Sequence, residues 1–384
     1  MSGPRRLLTI GHSYCVRRNR ELAEALAREA GGRWEVTVAA PARFPGDLAL
    51  IVTARDPGEQ CELRVLPVRL ASHVHVMTYG GGLRRLLDQP WDVVHCWEEP
   101  YVLSAAQVAR ATRRDSALVY ATFQNIAKRY PPPFGAIERY SMRHAQGWIA
   151  FGKSVEATLE RRSVYAARPH AVIPFGVDLA RFAPDPATRT GLLGRFMWDP
   201  EGPPVVGYLG RFTESKGLPM LLGVLDALHR RGIAWRALFV GGGSWEGRLR
   251  EFAARHDGRV QVATGVSHDD VPQYLQAMDV LAAPSQTTPG WREQFGRMIV
   301  EAFACAVPVV GSDSGEIPHV IGDAGLVVGE RDRDGWIRAL EGLLADAGAR
   351  RELGARGRAR AERDFAWSVV ARRHLTFFHQ LVAS

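Results

Sequence analysis

Two positively charged side chains flank a short segment bounded by glycines in the second half of the chain. Arg211 and Lys216 lie within residues 210–217, between an apolar stretch at residues 205–209 and a helix-like pattern at residues 218–230. In such a strand-to-helix turn glycine allows close approach of the backbone, and two cations there suit a diphosphate. The alternative is a surface turn with two solvated charges. Only three of the 49 basic residues are lysines, which favours a functional role for Lys216.

Two glutamates eight positions apart form a second candidate group. Glu301 lies in the apolar stretch at residues 298–304, where a carboxylate without donors would cost several kcal/mol. Sugar or ribose hydroxyls would supply donors, and a neighbouring arginine would serve equally. Glu293 precedes the predicted helix, where its carboxylate can bind sugar hydroxyls or simply favour the helix N-terminus electrostatically. The free N–H groups at residues 295–297 can face an anion.

The elements that must position these residues alternate between apolar strands and amphipathic helices. This order predicts an α/β protein of two doubly wound parallel sheets, with the ligand in the cleft at the carboxyl ends of their strands. The 384 residues suit two domains of ordinary size. The predicted strands are residues 7–10, 34–40, 63–68, 93–96, 118–122, 147–151 and 171–174, followed by 205–209, 237–240, 260–263, 280–283, 307–310 and 325–328.

A stretch rich in Pro, Gly, Asp and Arg at residues 182–204 shows no clear strand and predicts an interdomain linker. We therefore expect an N-terminal domain at residues 1–178, a linker at residues 179–204 and a C-terminal domain at residues 205–365. A final helix at residues 366–384 is expected to pack back on the N-terminal domain.

The net charge of +8 is compatible with nucleic acid, an anionic membrane surface or an anionic substrate. The four cysteines are scattered without a C-x-x-C, so neither a disulfide framework nor a zinc site is predicted. The first ten residues lack an apolar core of signal-peptide length, and no stretch is apolar enough to span a bilayer. These features predict a cytoplasmic location. Arginines near the first helix allow peripheral contact with the inner face of the membrane.

The order and spacing of several motifs in residues 205–328 resemble a known enzyme family. They include G-R-x(4)-K-G at residues 210–217, V-G-G-G at 240–243, T-G-V at 264–266, E-x(7)-E at 293–301 and S-G-E-I-P at 314–318. Together they are similar to the retaining glycosyltransferases of family 4, which have the GT-B fold of two facing Rossmann-like domains. The N-terminal half matches that family mainly in the order of its strands and helices.

The resemblance implies roles for individual residues. Arg211 and Lys216 would hold the diphosphate of a donor, and Glu293 would contact the donor sugar, so these three are the predicted catalytic residues. Glu301 would bind the ribose hydroxyls. The predicted donor-binding residues are Gly210, Gly241, Gly242, Gly265, Val266, Phe295, Gly296, Arg297, Met298 and Glu301.

Acceptor contacts are expected from the N-terminal half, at His12, His95 and Gln124. Gln124 stands where many family members carry a histidine near the reacting carbon, and the turn at residues 11–14 lacks the family's usual pair of glycines. The D-x-D sequence at residues 332–334 matches a metal-binding pattern of other sugar transferases. It lies where a helix begins, so we interpret it as a helix cap. Neither a metal nor a cofactor is predicted.

The function that the sequence predicts is transfer of a sugar from a nucleotide diphosphate sugar to an acceptor hydroxyl, with retention of configuration. The acceptor would be a glycan, a lipid-linked glycan or a small molecule, and residues 124–134 are similar to those of bacterial cell-surface polysaccharide transferases. A nucleotide-sugar epimerase or a phosphorylase on the same fold is the alternative. A basic nucleic-acid-binding module is disfavoured because no recognition motif is present, so no nucleic-acid partner is predicted.

Overall fold

The computed structural model describes residues 3–46 and 50–383. The chain forms two compact units, one of Met1–Pro174 with Trp367–Ser384 and one of Phe175–Ala366. The second unit therefore begins earlier than predicted and includes the expected linker at residues 179–204. Among the residues that the structure describes, no helix has the length and apolar composition needed to cross a bilayer.

The first unit is built on a parallel sheet of seven strands. Its spatial order is β11-β10-β9-β8-β1-β2-β5, so the order reverses between β1 and β8. Two short antiparallel ribbons, β3 with β4 and β6 with β7, lie outside this sheet. In chain order the strands are Arg5–Ile10 (β1), Trp34–Pro41 (β2), Arg43–Pro45 (β3), Leu50–Val52 (β4), Glu62–Leu66 (β5), Val68–Arg69 (β6), Thr78–Tyr79 (β7), Val93–Cys96 (β8), Ala117–Thr122 (β9), Gly147–Ala150 (β10) and His170–Val172 (β11).

Helices cover both faces of this sheet, which explains why strands such as β8 and β9 are buried along their whole length. Helix α1 buries Leu22 and Leu26 and ends at Gly31, whose φ of +55° is readily adopted by glycine. Short 3₁₀ turns at His12–Cys15 and Arg17–Arg20 precede it. The helices are Glu21–Ala30 (α1), Gly82–Leu87 (α2), Leu103–Ala111 (α3), Phe134–His144 (α4), Lys153–Leu159 (α5) and Ser163–Ala166 (α6).

The second unit is built on a parallel sheet of six strands in the order β14-β13-β12-β15-β16-β17. Numbered within the unit this is 3-2-1-4-5-6, the order of a dinucleotide-binding fold, and it reverses between β12 and β15. Each of the thirteen predicted sheet strands overlaps an observed one, and the prediction of two doubly wound parallel sheets is confirmed. The strands are Val205–Arg211 (β12), Arg236–Gly242 (β13), Val260–Thr264 (β14), Val280–Ala283 (β15), Val309–Ser312 (β16) and Leu326–Val328 (β17).

Helices again cover the second sheet. A 3₁₀ turn at Glu214–Lys216 leads into α8, and a π-helical turn at Ala361–Phe365 follows α14. The helices are Pro186–Arg195 (α7), Leu218–Arg230 (α8), Glu246–Arg255 (α9), Val271–Gln276 (α10), Arg297–Ala304 (α11), Ile317–Ile321 (α12), Arg333–Ala345 (α13) and Ala347–Arg360 (α14). The last helix of the chain, Trp367–Ala383 (α15), belongs to the first unit and packs along α1.

The predicted linker contains helix α7, which the sequence pattern did not reveal. The Asp185 carboxylate caps its N-terminus by accepting from two backbone N–H groups, and Pro186 occupies the first turn. Leu192 and Leu193 are buried in the core of the second unit. The stretch therefore packs as part of this unit because it combines a strong cap with two apolar anchors, despite its Pro and Gly content.

A close backbone contact joins the loops that follow β12 and β15. Gly217 has a φ of +76°, and a Cβ atom at this position would lie 1.7 Å from the carbonyl oxygen of Pro284. The backbone N–H of Gln286 also donates to the carbonyl of Ser215 at 2.8 Å. Only glycine fits at residue 217, so the loop that carries Lys216 is fixed against the end of β15.

We expect Gly217→Ala to destabilise the second unit more than Gly232→Ala does. Both glycines adopt left-handed backbone, with φ of +76° and +74°, but nothing lies within 4 Å of a Cβ at Gly232. Both variants share the conformational cost of about 1–2 kcal/mol, and the clash with Pro284 adds about 1–3 kcal/mol for Gly217→Ala alone. Urea unfolding measures the difference. Equal losses in the two variants would contradict the structural role of this contact.

Candidate active site

The predicted catalytic residues of the second unit lie at the carboxyl ends of its strands. Arg211 ends β12, and Lys216 follows five residues later beside the end of β15. The Nζ atom of Lys216 lies 2.6 Å from Oε2 of Glu293, and both side chains are largely buried, at 13% and 8% exposure. The Lys216 ammonium also lies 4.6 Å from the centroid of the Trp291 ring. The structure thus brings together Lys216 and Glu293, which are 77 positions apart in the sequence.

The Glu293 carboxylate is held by a chain of hydroxyl groups from neighbouring strands. The Ser285 hydroxyl donates to Oε2 of Glu293 at 2.8 Å. The carbonyl of Ser285 in turn accepts from the hydroxyl of Ser312, at the end of β16, at 2.5 Å. The backbone of Glu293 passes so close to Gly315 that a Cβ there would lie 2.0 Å from the Glu293 carbonyl oxygen. Its position is therefore set by β15, β16 and the S-G-E-I-P turn together.

Tyr208 is a buried residue of the site that sequence reasoning missed. Its hydroxyl donates to the carbonyl oxygen of Arg211 at 2.7 Å, which fixes the backbone where β12 ends. Burial raises the pKa of Tyr208, and the negative charge of Glu293 raises it further while Arg211 opposes the shift. The hydroxyl therefore remains a donor at neutral pH. A tyrosine within an apolar strand resembles an ordinary core residue, so the pattern gave no signal.

Glycines let the ends of β12 and β13 approach each other. A Cβ at Gly241 would lie 1.8 Å from the carbonyl oxygen of Gly210, and one at Gly243 would lie 2.6 Å from that of Phe212. The predicted donor residues Gly210 and Gly241 therefore have a packing role as well. A Cβ at Gly242 would meet no atom within 4 Å, which leaves the backbone there accessible to a ligand.

Helix α11 places the other predicted donor-binding residues. Gly296 precedes it with a φ of +82°, and Phe295 is buried against Phe175 and Phe365. The Arg297 guanidinium lies 4.8 Å from the centroid of the Phe175 ring. Glu301 is 5% exposed, as its apolar neighbours in the sequence predicted. The half-buried Met298 follows in the first turn of this helix. Phe295, Gly296, Arg297 and Met298 therefore lie together at the N-terminal end of α11, and Glu301 lies one turn further along the helix.

The turn after β14 contains Gly265 and Val266. Gly265 is exposed, with a φ of +69° and open space around its Cα. Val266 is half-buried and packs against the core of the unit. Both lie at the same edge of the sheet as Arg211 because the strands are parallel.

In the first unit, His12 pairs with a buried glutamate that sequence reasoning missed. Nδ1 of His12 lies 2.6 Å from Oε2 of Glu98, and the backbone N–H of His12 donates to Oε1 at 2.8 Å. The Tyr79 hydroxyl also donates to Oε1, at 2.7 Å. Burial alone would lower the pKa of His12, but the Glu98 carboxylate outweighs it and raises that pKa above 6.5. The pair lies where β1 and β8 end, at the point where the strand order reverses.

Glu99, the residue after Glu98, is a second carboxylate at this edge of the first sheet. Its two oxygens accept from the Thr122 hydroxyl and the Phe123 backbone N–H, both at 2.7 Å. Burial raises the pKa of Glu99 to about 7 despite these donors and the nearby His12. A carboxyl group with this pKa can exchange a proton near neutral pH. The W-E-E-P sequence at residues 97–100 shows two adjacent acids but does not reveal that both are held inward.

His95 was predicted to contact an acceptor, and the structure corrects this. It is fully buried, with Nδ1 at 3.2 Å from the Thr9 hydroxyl and Nε2 accepting from the Trp97 indole N–H at 3.1 Å. Burial lowers the pKa of His95 well below 6.5. Both ring nitrogens are occupied, so His95 is a core residue. The reason is its place within β8, which helix α15 covers with His374 and Phe378.

Gln124 is also less accessible than a direct acceptor contact suggests. It is 8% exposed, and its side-chain amide nitrogen, Nε2, donates to the Ile126 carbonyl within its own loop. The backbone N–H of Gln124 lies 3.4 Å from the Thr122 hydroxyl, which itself binds Glu99. Gln124 therefore shapes the loop after β9 next to the Glu99 carboxylate.

One group of potential metal ligands occurs among the described residues. Glu156, Glu160 and His170 lie together in the first unit, but Nε2 of His170 already lies 3.0 Å from Glu156 and 3.4 Å from Glu160. They are remote in sequence from every predicted site residue. The D-x-D motif is confirmed as a cap, because Asp332 accepts from the backbone N–H of Gly335 at the start of α13.

Two doubly wound parallel sheets, with a cationic loop and a buried glutamate at the switch point of the second, define a GT-B glycosyltransferase. The family model for Glycosyltransferase Family 4 matches residues 16–181, and that for Glycosyl transferases group 1 matches residues 198–360. The chain belongs to this glycosyltransferase family. The prediction made from the motifs in residues 205–328 is thereby confirmed at the level of family and fold.

Individual relatives agree with this assignment. The chain is 30% identical over 362 residues to a D-inositol 3-phosphate glycosyltransferase of Salinispora tropica, an alignment that covers 88% of this chain and 71% of the relative. It is 33% identical over 207 residues to a GDP-mannose-dependent alpha-(1-6)-phosphatidylinositol monomannoside mannosyltransferase of Mycobacterium tuberculosis, covering 52% of this chain and 53% of that protein. The fold is also that of Anabaena HepE in complex with UDP-glucose, with a TM-score of 0.72 at 16% identity over 98% of this chain and 99% of that one.

We expect the pairing of His12 with Glu98 to make folding stability depend on pH. Because the pKa of His12 is raised on folding, its stabilising contribution is fully present below pH 6.5 and is lost as the pH rises through the folded-state pKa. The urea midpoint of wild type should therefore exceed that of His12→Gln by more below pH 6.5 than well above it.

The matched control is His319→Gln, at an exposed histidine of the second unit. It should leave the pH dependence of the wild type in place. The variant Glu98→Gln should lower the pKa of His12 in an NMR titration, since burial then acts without the carboxylate. An unchanged His12 pKa in Glu98→Gln would contradict this interpretation.

Proposed function

We propose that this glycosyltransferase transfers a sugar from a nucleotide diphosphate sugar to an acceptor hydroxyl with retention of configuration and without a metal ion. The observation that carries the proposal is the buried contact of Lys216 with Glu293, five residues after Arg211 ends β12, at the point where the second sheet reverses its strand order. In doubly wound folds ligands bind outside the carboxyl ends of the strands at this point.

Each of the two paired side chains has a role toward the donor. An ammonium group has three N–H donors, and contact with Glu293 uses one, so the others can bind phosphate oxygens. When a diphosphate draws Lys216 toward itself, the Glu293 carboxylate becomes available to the hydroxyls of the donor sugar. Glu293 thus keeps the ammonium in place before the donor arrives and orients the sugar afterwards.

The leaving diphosphate gains negative charge as the glycosidic bond breaks. Fixed positive groups aimed at it stabilise the transition state more than the ground state. Arg211, Lys216 and the backbone N–H groups at the start of α11 would supply this charge stabilisation, which makes a divalent metal unnecessary. We propose same-face attack through an oxocarbenium-like state, in which the departing phosphate accepts the proton of the acceptor hydroxyl.

The names of the relatives support a nucleotide sugar as donor. One is described as GDP-mannose-dependent, and a protein of the same fold is described in complex with UDP-glucose. The acceptor is proposed to be a glycan, a lipid-linked glycan or a small molecule, in the synthesis of a cell-surface polysaccharide or glycoconjugate. The enzyme would then act in the cytoplasm, at or near the inner face of the membrane.

We expect Arg211→Ala and Lys216→Ala each to lower kcat/KM for sugar transfer by about 10²-fold or more, the usual cost of removing one group that stabilises transition-state charge. The thermal midpoint of unfolding should change little for Arg211→Ala, because its side chain is exposed. The measurement is initial-rate kinetics with the donor that a thermal-shift panel of UDP, GDP, ADP and dTDP identifies.

Two further variants sharpen this test. Arg230→Ala removes another exposed arginine of the same unit and should leave transfer unchanged. Glu293→Gln should retain binding of the nucleoside diphosphate while losing transfer. In this variant Lys216 is still available to bind the phosphate, but the neutral amide binds sugar hydroxyls less strongly than a carboxylate does. Near-normal transfer by both Arg211→Ala and Lys216→Ala would refute the assignment.

Retention of configuration can be observed directly in the product. NMR of the product formed in the first minutes should show the same anomeric configuration as the donor sugar, and EDTA should leave the rate unchanged. Incubation of donor without acceptor should give no epimer, and phosphate should not replace the acceptor. Inversion at the anomeric carbon, or an absolute requirement for phosphate, would overturn the proposal in favour of another enzyme on the same fold.

A further inference from the structure

A strongly cationic groove lies in the first unit. Tyr79 lines it, and its other lining residues belong to no site described above. It has a volume of about 820 Å³. Helices α2 and α3 form its walls, and β7 with the following glycines contributes to its floor. Five arginines and a single carboxylate line it, namely Arg69, Arg84, Arg110, Arg113, Arg114 and Asp88.

Most of these arginines have no side-chain partner among the residues that the structure describes. Arg113 forms a bidentate ion pair with Asp115, with N···O distances of 2.7 and 2.9 Å. In the part of the chain that the structure describes, the other four arginine side chains make no hydrogen bond or ion pair. Exposed arginines elsewhere commonly do, as in Arg231 with Glu341 and Arg372 with Glu29. The groove thus gathers more positive charge than Asp88 and Asp115 balance.

The floor of this groove is held rigidly. The side-chain amide of Gln107 makes two hydrogen bonds with the backbone of Tyr79. It accepts from the backbone N–H at 2.8 Å and donates to the backbone carbonyl at 2.7 Å. The Tyr79 hydroxyl donates to Glu98, the partner of His12. Arginines on α2 and α3 therefore project from elements whose separation is fixed, which reduces the cost of ordering them around a ligand.

Guanidinium groups recognise phosphate through paired N–H donors, and like charges gathered in a concave surface repel each other until an anion neutralises them. A neutral sugar would gain little from four such groups. We propose that this groove is a second anion site, which binds a phosphate or diphosphate group distinct from that of the donor.

Two sources of that phosphate are chemically equivalent here. One is a soluble phosphorylated molecule, and the other is the headgroup of a lipid. Leu70, next to Arg69, is 62% exposed and has a φ of +55°, unusual for leucine. An exposed apolar side chain beside the arginines suits a lipid surface, so the experiment includes both sources.

The test uses the full chain carrying Arg211→Ala and Lys216→Ala, so that the proposed donor site contributes little. Isothermal titration with inorganic pyrophosphate measures the soluble source, and co-sedimentation with phosphatidylcholine vesicles, with and without phosphatidylglycerol, measures the lipid source. Adding Arg84→Ala with Arg110→Ala, one from each wall, should weaken binding in at least one arm by about tenfold or more.

The matched control adds Arg85→Ala with Arg139→Ala instead, which removes the same charge from exposed positions of the same unit outside the groove. It should leave binding nearly unchanged. Loss in the pyrophosphate arm alone assigns the groove to a soluble phosphate, and loss in the vesicle arm assigns it to a lipid headgroup. The proposal is overturned when neither ligand binds, or when both pairs of substitutions weaken binding equally. Failure here leaves the donor-site proposal intact, because the kinetic variants test that separately.

Discussion

The contact of Gly217 with the Pro284 carbonyl is the constraint on which the site in the second unit depends. A parallel sheet brings the ends of β12 and β15 to the same edge, but it does not bring Lys216 to Glu293. The missing Cβ of Gly217 allows the two loops to cross at a distance that no other residue permits. Lys216 is then held directly beside the segment that leads to Glu293. The close backbone packing and the ion pair thus occur side by side, and the first holds the loop that carries Lys216.

Burying this pair has a physical cost that explains its surroundings. Removing an ammonium and a carboxylate from water is unfavourable unless good geometry and further hydrogen bonds compensate. The Ser285 hydroxyl supplies one such bond, and the Trp291 ring lies near the ammonium. A diphosphate would offer the ammonium additional acceptor oxygens, which suits the role proposed for Lys216.

Much of the fold could be predicted from the sequence because buried parallel strands are continuous apolar runs, as at β10 and β15. The turn with Arg211 and Lys216 was visible because its glycines and cations lie close together in the sequence, directly after an apolar strand. Glu98 and Tyr208 could not be found, because their importance comes from long-range contacts that local patterns do not encode. The same limit explains His95: a histidine near the end of a strand can face either the sheet edge or a covering helix, and only tertiary packing decides.

The two units use one arrangement at their reversal points, although their sequences differ there. In the first unit a Cβ at Gly11 would lie 2.6 Å from Cβ of Trp97, so the loop after β1 presses against the end of β8 just as residue 217 presses against the end of β15. The loop after β1 presents His12 to the buried carboxylate of Glu98. The loop after β12 likewise presents Lys216 to the buried carboxylate of Glu293. The chemistry differs in one respect: an imidazole can take up or release a proton near neutral pH, whereas the lysine side chain carries three N–H donors on a flexible stem. The first arrangement is therefore suited to a neutral hydroxyl, and the second to an anion whose charge grows during the reaction.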